Sequence, residues 1–238
     1  MSRAAFRTHA LEECDRYSCT PARGRHFPGG ERPPALCAYP PPAAEIDTLF
    51  IGWNPPVPFG GFWSLKSEDK LRADLHWVLR DLRRVAASHA DATFLTEFSE
   101  RGYYFVHAVK CWTESKYPGF GRDQRNRERR RDLGEPLLHA CAEEHLFSEL
   151  DGLAPKAICA LGELAYLPLQ RRFSLDQTAK PTDGRWFVRG QQGLPWDLLY
   201  SCLCVGQSIP IGRTGRRPAK EVVRDHLTTF RRIGRAAP

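Results

Sequence analysis

Four stretches of the chain carry apolar residues with little polar alternation, the pattern of strands buried on both faces. They are the run ending Thr48-Leu49-Phe50-Ile51, Tyr103-Tyr104-Phe105-Val106-His107-Ala108-Val109, Lys156-Ala157-Ile158-Cys159-Ala160-Leu161-Gly162 and the segment from Leu198 to Val205. Strands are therefore expected at 46–51, 103–109, 156–162 and 198–205. Between them the period changes from two to about 3.6 residues. Leu71, Leu75, Val78, Leu79 and Leu82 recur at helical spacing within 67–87, with Arg and Asp on the other face. Ser67 followed by Lys70 is a partial cap signal there. A second helix starts at Pro136, a residue suited to a first turn, and runs to about 150. It carries Leu137, Leu138, Cys141, His145 and Leu146 on or near one face. Helices are also expected at 163–171, at 219–233 and, in a short form, at 5–17. Residues 173–196 read as irregular, with a hairpin around Trp186-Phe187-Val188. His76 and His89 are expected at the surface or at a boundary.

Alternating strands and helices imply an α/β fold with a parallel sheet covered on both faces. Ligand chemistry in such sheets gathers at the carboxyl ends of the strands. Those ends are marked here by Asn54, Lys110, Gly162 and Gly206. After the first strand comes Gly52-Trp53-Asn54-Pro55-Pro56. The prolines forbid helix, and Asn54 offers both a donor and an acceptor. The same residues also make a simple strand-to-loop exit. Phe59, Phe62 and Trp63 flank the paired glycines Gly60 and Gly61, which suits either a rim that stacks on a flat ring or a cap on the core. The segment 206–218 reads as a loop mixing apolar tips with Gly and Arg.

The chain has 238 residues, 42% of them hydrophobic and 26% charged, so it is globular, with one domain expected over 1–238 and an irregular cysteine-containing segment over about 1–45. The net charge of +7 makes an anionic partner such as nucleic acid plausible. Arg122, Arg125, Arg127, Arg129, Arg130 and Arg131 fall close together after the second strand, as a phosphate clamp or as a solvated loop. No apolar run approaches the roughly 20 residues of a membrane span, and no apolar signal-peptide core is evident. The cytosol is the expected compartment. There the eight cysteines are buried small hydrophobes or metal ligands rather than disulfides. Cys14 and Cys19, with four residues between them near a helix end, are one candidate pair.

The order of these motifs resembles the uracil-DNA glycosylase superfamily, particularly its iron–sulfur branch. Leu49-Phe50-Ile51-Gly52-Trp53-Asn54-Pro55-Pro56 is similar to the first motif, in the Gly-x-Asn-Pro-Gly form of the mismatch-specific and single-strand-selective branches. Phe105-Val106-His107-Ala108-Val109-Lys110-Cys111 resembles the iron–sulfur branch's strand ending Asn-x-Val-Lys-Cys. Leu138-His139-Ala140-Cys141, the strand at 156–162 and the Cys14/Cys19 pair resemble that branch as well.

The resemblance implies a three-layer α/β/α fold around a central four-stranded parallel sheet, and a monomer acting on DNA. It also implies a [4Fe–4S] cluster on Cys14, Cys19, Cys111 and Cys141, with Cys37 as an alternative ligand and plain buried thiols as the simpler reading. By the same resemblance Asn54, His107 and Ser208 are the catalytic candidates. Gly52, Trp53, Phe59, Phe62 and Gln207 are expected to line the pocket of a flipped base. Lys110, Arg125, Arg129, Arg213, Arg216 and Arg217 are expected on phosphates, and Ile209 as a wedge in the minor groove. The chain departs from the pattern at His107, where the family has Asn, at Pro56, in a longer Arg-rich insertion, and in Gly206-Gln207-Ser208-Ile209-Pro210, which lacks the usual His or Asn before Pro-Ser. A catalytically silent nucleic-acid-binding protein on the same fold is the alternative, and an unrelated α/β zinc or small-molecule enzyme a third.

Overall fold

The computed structural model describes residues 39–53, 61–65, 69–110, 138–139 and 141–174, the backbone of four strands between 186 and 218, and helical positions between 220 and 228. The packing separates into two compact units. The first takes in 42–52, 69–105 and the described residues from 155 onward; the second takes in 39–41, 53, 61–65, 106–110 and those between 138 and 154.

The sheet begins with β1 (Thr48–Gly52) and continues with β2 (Tyr103–His107), β3 (Ala157–Leu161), β4 (Trp186–Arg189) and β5 (Leu198–Cys202), in the spatial order β2-β1-β3-β5-β4. Strands β1, β3 and β5 are parallel, registered Thr48 to Ala157 and Ala157 to Leu198. Every residue of β1 and β3 is buried, as the unbroken apolar runs require. Leu49, Phe50 and Ile51 are wholly shielded, each worth about 2 kcal/mol of apolar burial. The expected hairpin near Trp186 takes the form of β4 pairing antiparallel with β5, Trp186 opposite Ser201.

Helix α1 (Lys70–Asp81) starts two residues later than the cap signal at Ser67 suggests. Asp69 is the cap: its Oδ1 accepts the Arg72 N–H at 2.9 Å, satisfying one of the donors that a helix start leaves open. Desolvation by burial raises the Asp69 carboxyl above the ordinary aspartate range against the hydrogen bond from Arg72. Helix α2 (Ala92–Glu100) lies in a stretch to which the hydrophobic pattern above assigns no element. Its signal is nevertheless there: an Asp91 cap, with Phe94, Leu95 and Phe98 on one buried face. Glu97 of α2 accepts the N–H groups of Ala86 and Ala87 at 2.8 Å each and so ties down the incoming chain.

Phe50, Phe94, Phe98 and Tyr103 make a linked aromatic cluster with ring centres 5.4–6.0 Å apart. His76 joins it, which corrects the surface expectation. It is 6% exposed, packs with its ring tilted 4.8 Å from that of Phe94 and donates from Nε2 to the Ala87 carbonyl at 2.8 Å. A histidine on an apolar helix face is admitted to the core once its polar edge is satisfied.

In the second unit a π-helical turn, Ala142–Leu146, runs into α3 (Phe147–Leu153). Helix α4 (Glu163–Arg172) follows β3 in the first unit, close to its expected bounds. The segment 206–218, read as a loop, instead holds β6 (Ser208–Ile211) and β7 (Gly215–Pro218), an antiparallel pair with Ile209 opposite Arg217 and Pro210 opposite Arg216. Proline signals a break in a central strand. In a two-stranded ribbon both strands are edges, so a missing donor is tolerated. The helical positions between 220 and 228 dock on α1: Lys220 lies over the Trp77 ring at 4.5 Å, Arg224 pairs with Asp81 at 3.4 Å, and Arg84 donates to the Leu227 carbonyl at 2.9 Å.

Candidate functional site at the carboxyl end of the second strand

Gly52 closes β1, and its small size is a packing requirement. A Cβ there would sit 2.7 Å from Phe105 Cζ and 3.4 Å from Leu71 Cδ2. Beyond it, the Val109 N–H donates to the Trp53 carbonyl at 2.8 Å. The residue after β1 is thereby tied to the segment just past β2. Trp53 is partly exposed.

His107, the last residue of β2, is 1% exposed. Its backbone N–H donates to the Tyr39 hydroxyl at 3.1 Å, and the same hydroxyl lies 3.2 Å from its Nδ1. The two rings are 6.2 Å apart. Burial, with the nearby Lys110 ammonium adding to it, pushes the His107 imidazole down to about 3, so the ring is neutral throughout the physiological range.

Lys110 points inward. Its ammonium donates to the His107 carbonyl at 2.5 Å, pairs with the Glu149 carboxylate of α3 and lies 5.2 Å from the centre of the Tyr39 ring. Both charged side chains are at most 5% exposed. Such a group cannot reach a DNA phosphate from this position. Its expected role on the backbone is therefore corrected: the charge is neutralised internally, and it braces the end of β2 against α3.

The Lys110 N–H also donates to Cys141 Sγ at 3.3 Å. Cys141 is 1% exposed and stands at the entry to the π-helical turn, a distortion frequent at functional sites. A buried sulfur receiving a backbone amide suits a thiolate ligand, since such hydrogen bonds tune iron–sulfur centres. Cys141 is the one expected cluster ligand that lies among the described residues, and the same contact also suits a plain buried thiol. Among the described residues, no group of three or more His, Cys, Asp or Glu side chains is arranged to hold a metal ion. Cys14, Cys19, Cys37 and Cys111 lie outside the described residues.

So do Asn54, Phe59, Gln207, Arg125, Arg129 and Arg213. Ser208 and Ile209 belong to β6, and Arg216 and Arg217 to β7. Phe62 is fully buried with Trp63 edge-on at 5.4 Å, the arrangement of a core cap.

Two participants escape the sequence reading. Tyr39 sits in a Pro-rich stretch read only as irregular surface, with no local signal to single it out. Glu149 had one: Cys141, His145 and Glu149 recur every fourth residue, the spacing of one helical face, and all three are buried. Among the described residues no helix is long and apolar enough to cross a membrane. Compared with models of known protein families and with curated proteins, the chain matches none.

Proposed function

We propose that this chain is a DNA-repair glycosylase that hydrolyses the N-glycosidic bond of a flipped deaminated or damaged base, on a three-layer α/β/α fold with four parallel strands. The carrying observation is the 2.8 Å hydrogen bond from Val109 to Trp53. It holds Trp53 beside the segment that follows His107, two stretches far apart in sequence that the reading brings to one site. The parallel pairing of β1, β3 and β5 and the position of β2 beside β1 agree with that architecture. A neutral, buried imidazole at the strand end agrees with a group that hydrogen-bonds a base edge rather than one that holds a charge.

In this reading Asn54 orients the attacking water or bonds the base, and His107 reads the base edge. Phe59 stacks on the flipped ring. Ser208 belongs to the second catalytic motif, Ile209 enters the minor groove, and Arg213, Arg216 and Arg217 neutralise phosphates. Cys14, Cys19, Cys111 and Cys141 would hold a [4Fe–4S] cluster. When bound, it would fasten the N-terminal segment and the Arg-rich insertion, a structural rather than a redox duty. Lys110 directly precedes Cys111 in the chain, and its N–H contact with Cys141 Sγ supports placing those two cysteines at one centre.

The test is a panel of oligonucleotides containing uracil, hypoxanthine or xanthine. Anaerobically purified protein is added, abasic sites are converted to strand breaks, and iron is measured in the same sample. Base release abolished by Asn54→Ala supports the reading. DNA binding without abasic product on any of the lesions points instead to a silent binding protein, a reading favoured by the absence of histidine from 206–210.

A further inference from the structure

Strand β5 runs parallel to β3, so the chain leaves it at the carboxyl edge of the parallel strands, where ligands of such sheets collect. It then forms the ribbon β6–β7 and enters the helical positions that dock on α1. Among the described residues, β6 and β7 pair only with each other. From Leu198 to Lys220 the sequence holds Arg213, Arg216, Arg217 and Lys220 and no Asp or Glu. Cations without acids at the ligand edge of a sheet suit a polyanion. Residues alternate between the two faces of a ribbon, and directly opposed residues share a face. The register sets Ile209 opposite Arg217 and Ile211 opposite Gly215; it sets Ser208 opposite Pro218 and Pro210 opposite Arg216. Positions 209, 211, 215 and 217 therefore form one face, and 208, 210, 216 and 218 the other. Adjacent in sequence, Arg216 and Arg217 are thus parted by the pleat.

We infer that the face of the ribbon holding positions 209, 211, 215 and 217 is the surface laid against duplex DNA, with Arg217 the companion of Ile209 there, while Arg216 acts apart from them on the opposite face. This rests on the DNA-binding part of the proposed reading and not on base cleavage. The residue types favour that face. Isoleucines suit apolar contact with sugars and base steps, a glycine lets the backbone come close, and an arginine is drawn to the negative potential of a groove. The other face joins its arginine to two prolines and a serine, a set with no apolar pair to offer a base step. Directly opposed positions in an antiparallel pair have Cβ atoms about 5 Å apart. Ile209 and Arg217 would then meet the same stretch of DNA, so that losing one removes part of the other's contact. Arg216, across the ribbon, contributes independently.

The decisive measurement is a pair of double-mutant cycles on the full chain. Affinity is read by fluorescence anisotropy for a short labelled duplex with one central abasic-site analogue, at one fixed salt concentration. Ile209→Ala, Arg217→Gln and Arg216→Gln are measured singly, and Ile209→Ala is combined with each arginine change. The loss in Ile209→Ala with Arg217→Gln should fall short of the product of the single losses by about threefold or more, and the loss in Ile209→Ala with Arg216→Gln should match the product within about twofold. Both pairs multiplying, or coupling at Arg216 instead of Arg217, overturns the proposal. So does a chain that binds no DNA. Thermal unfolding of each variant covers the remaining outcome. If Ile209→Ala lowers the midpoint without changing affinity, or does not fold, the isoleucine face packs on the protein and the proposal fails. Coupled losses in binding without release of any base would uphold the ribbon face and refute the glycosylase reading. Base release with uncoupled losses would do the reverse.

Discussion

Glu149→Gln is the most informative single perturbation of the site, because it removes a charge while nearly preserving shape. The Lys110 ammonium would keep the His107 carbonyl at 2.5 Å and the Tyr39 ring at 5.2 Å, but lose its counter-ion in a place where both side chains are at most 5% exposed. Removing one member of a buried pair costs about 3–5 kcal/mol. The surviving carbonyl and a cation–π contact worth roughly 1 kcal/mol put the expected loss near the lower end, about 3 kcal/mol. Lys110→Met should cost a similar amount, since it leaves a buried carboxylate without its cation. Combined, Lys110→Met and Glu149→Gln should cost only about 1–2 kcal/mol, because no uncompensated charge remains. The assay is urea unfolding of the four proteins at pH 7.5, with an unchanged denaturant slope required before the values are compared. Single losses under about 1 kcal/mol that simply add would refute the reasoning, for they are what a solvent-exposed pair gives.

Two further outcomes follow from the same geometry. His107 has its proton affinity lowered from 6.5 to about 3 in the folded chain, so between those values the unfolded chain binds a proton that the folded chain does not. Stability should therefore be fully present above pH 6.5 and fall as the pH drops toward 3, by roughly 5 kcal/mol over the whole window. Unfolding curves of His107→Gln should show that slope flattened, and an unchanged slope would place the titration elsewhere. Gly102 has a φ of +77°, and an added Cβ would lie 2.9 Å from the Glu45 carbonyl oxygen. Its own carbonyl accepts from Asp47 and Thr48 at the start of β1, so Gly102→Ala should lose about 2 kcal/mol by thermal or chemical unfolding.

Elements whose signal is local are legible from the order of residues. The runs at Thr48–Gly52 and Ala157–Leu161 are apolar because both faces of those strands are covered. Leu75, Val78 and Leu79 of α1 repeat at 3.6 because one face is. Even the missed helix at Ala92–Glu100 carried its cap and its stripe. Tertiary structure alone decided which polar residues go inside and with whom. Lys110 and Glu149 are 39 residues apart, and Tyr39 and His107 are 68 apart. Nothing in the residues around each names the other, and a lysine after a strand or a tyrosine before prolines reads as surface. A polar side chain is stable in the core only when a distant segment delivers its partner at bonding distance, and that delivery is a property of the folded chain, not of any window along it.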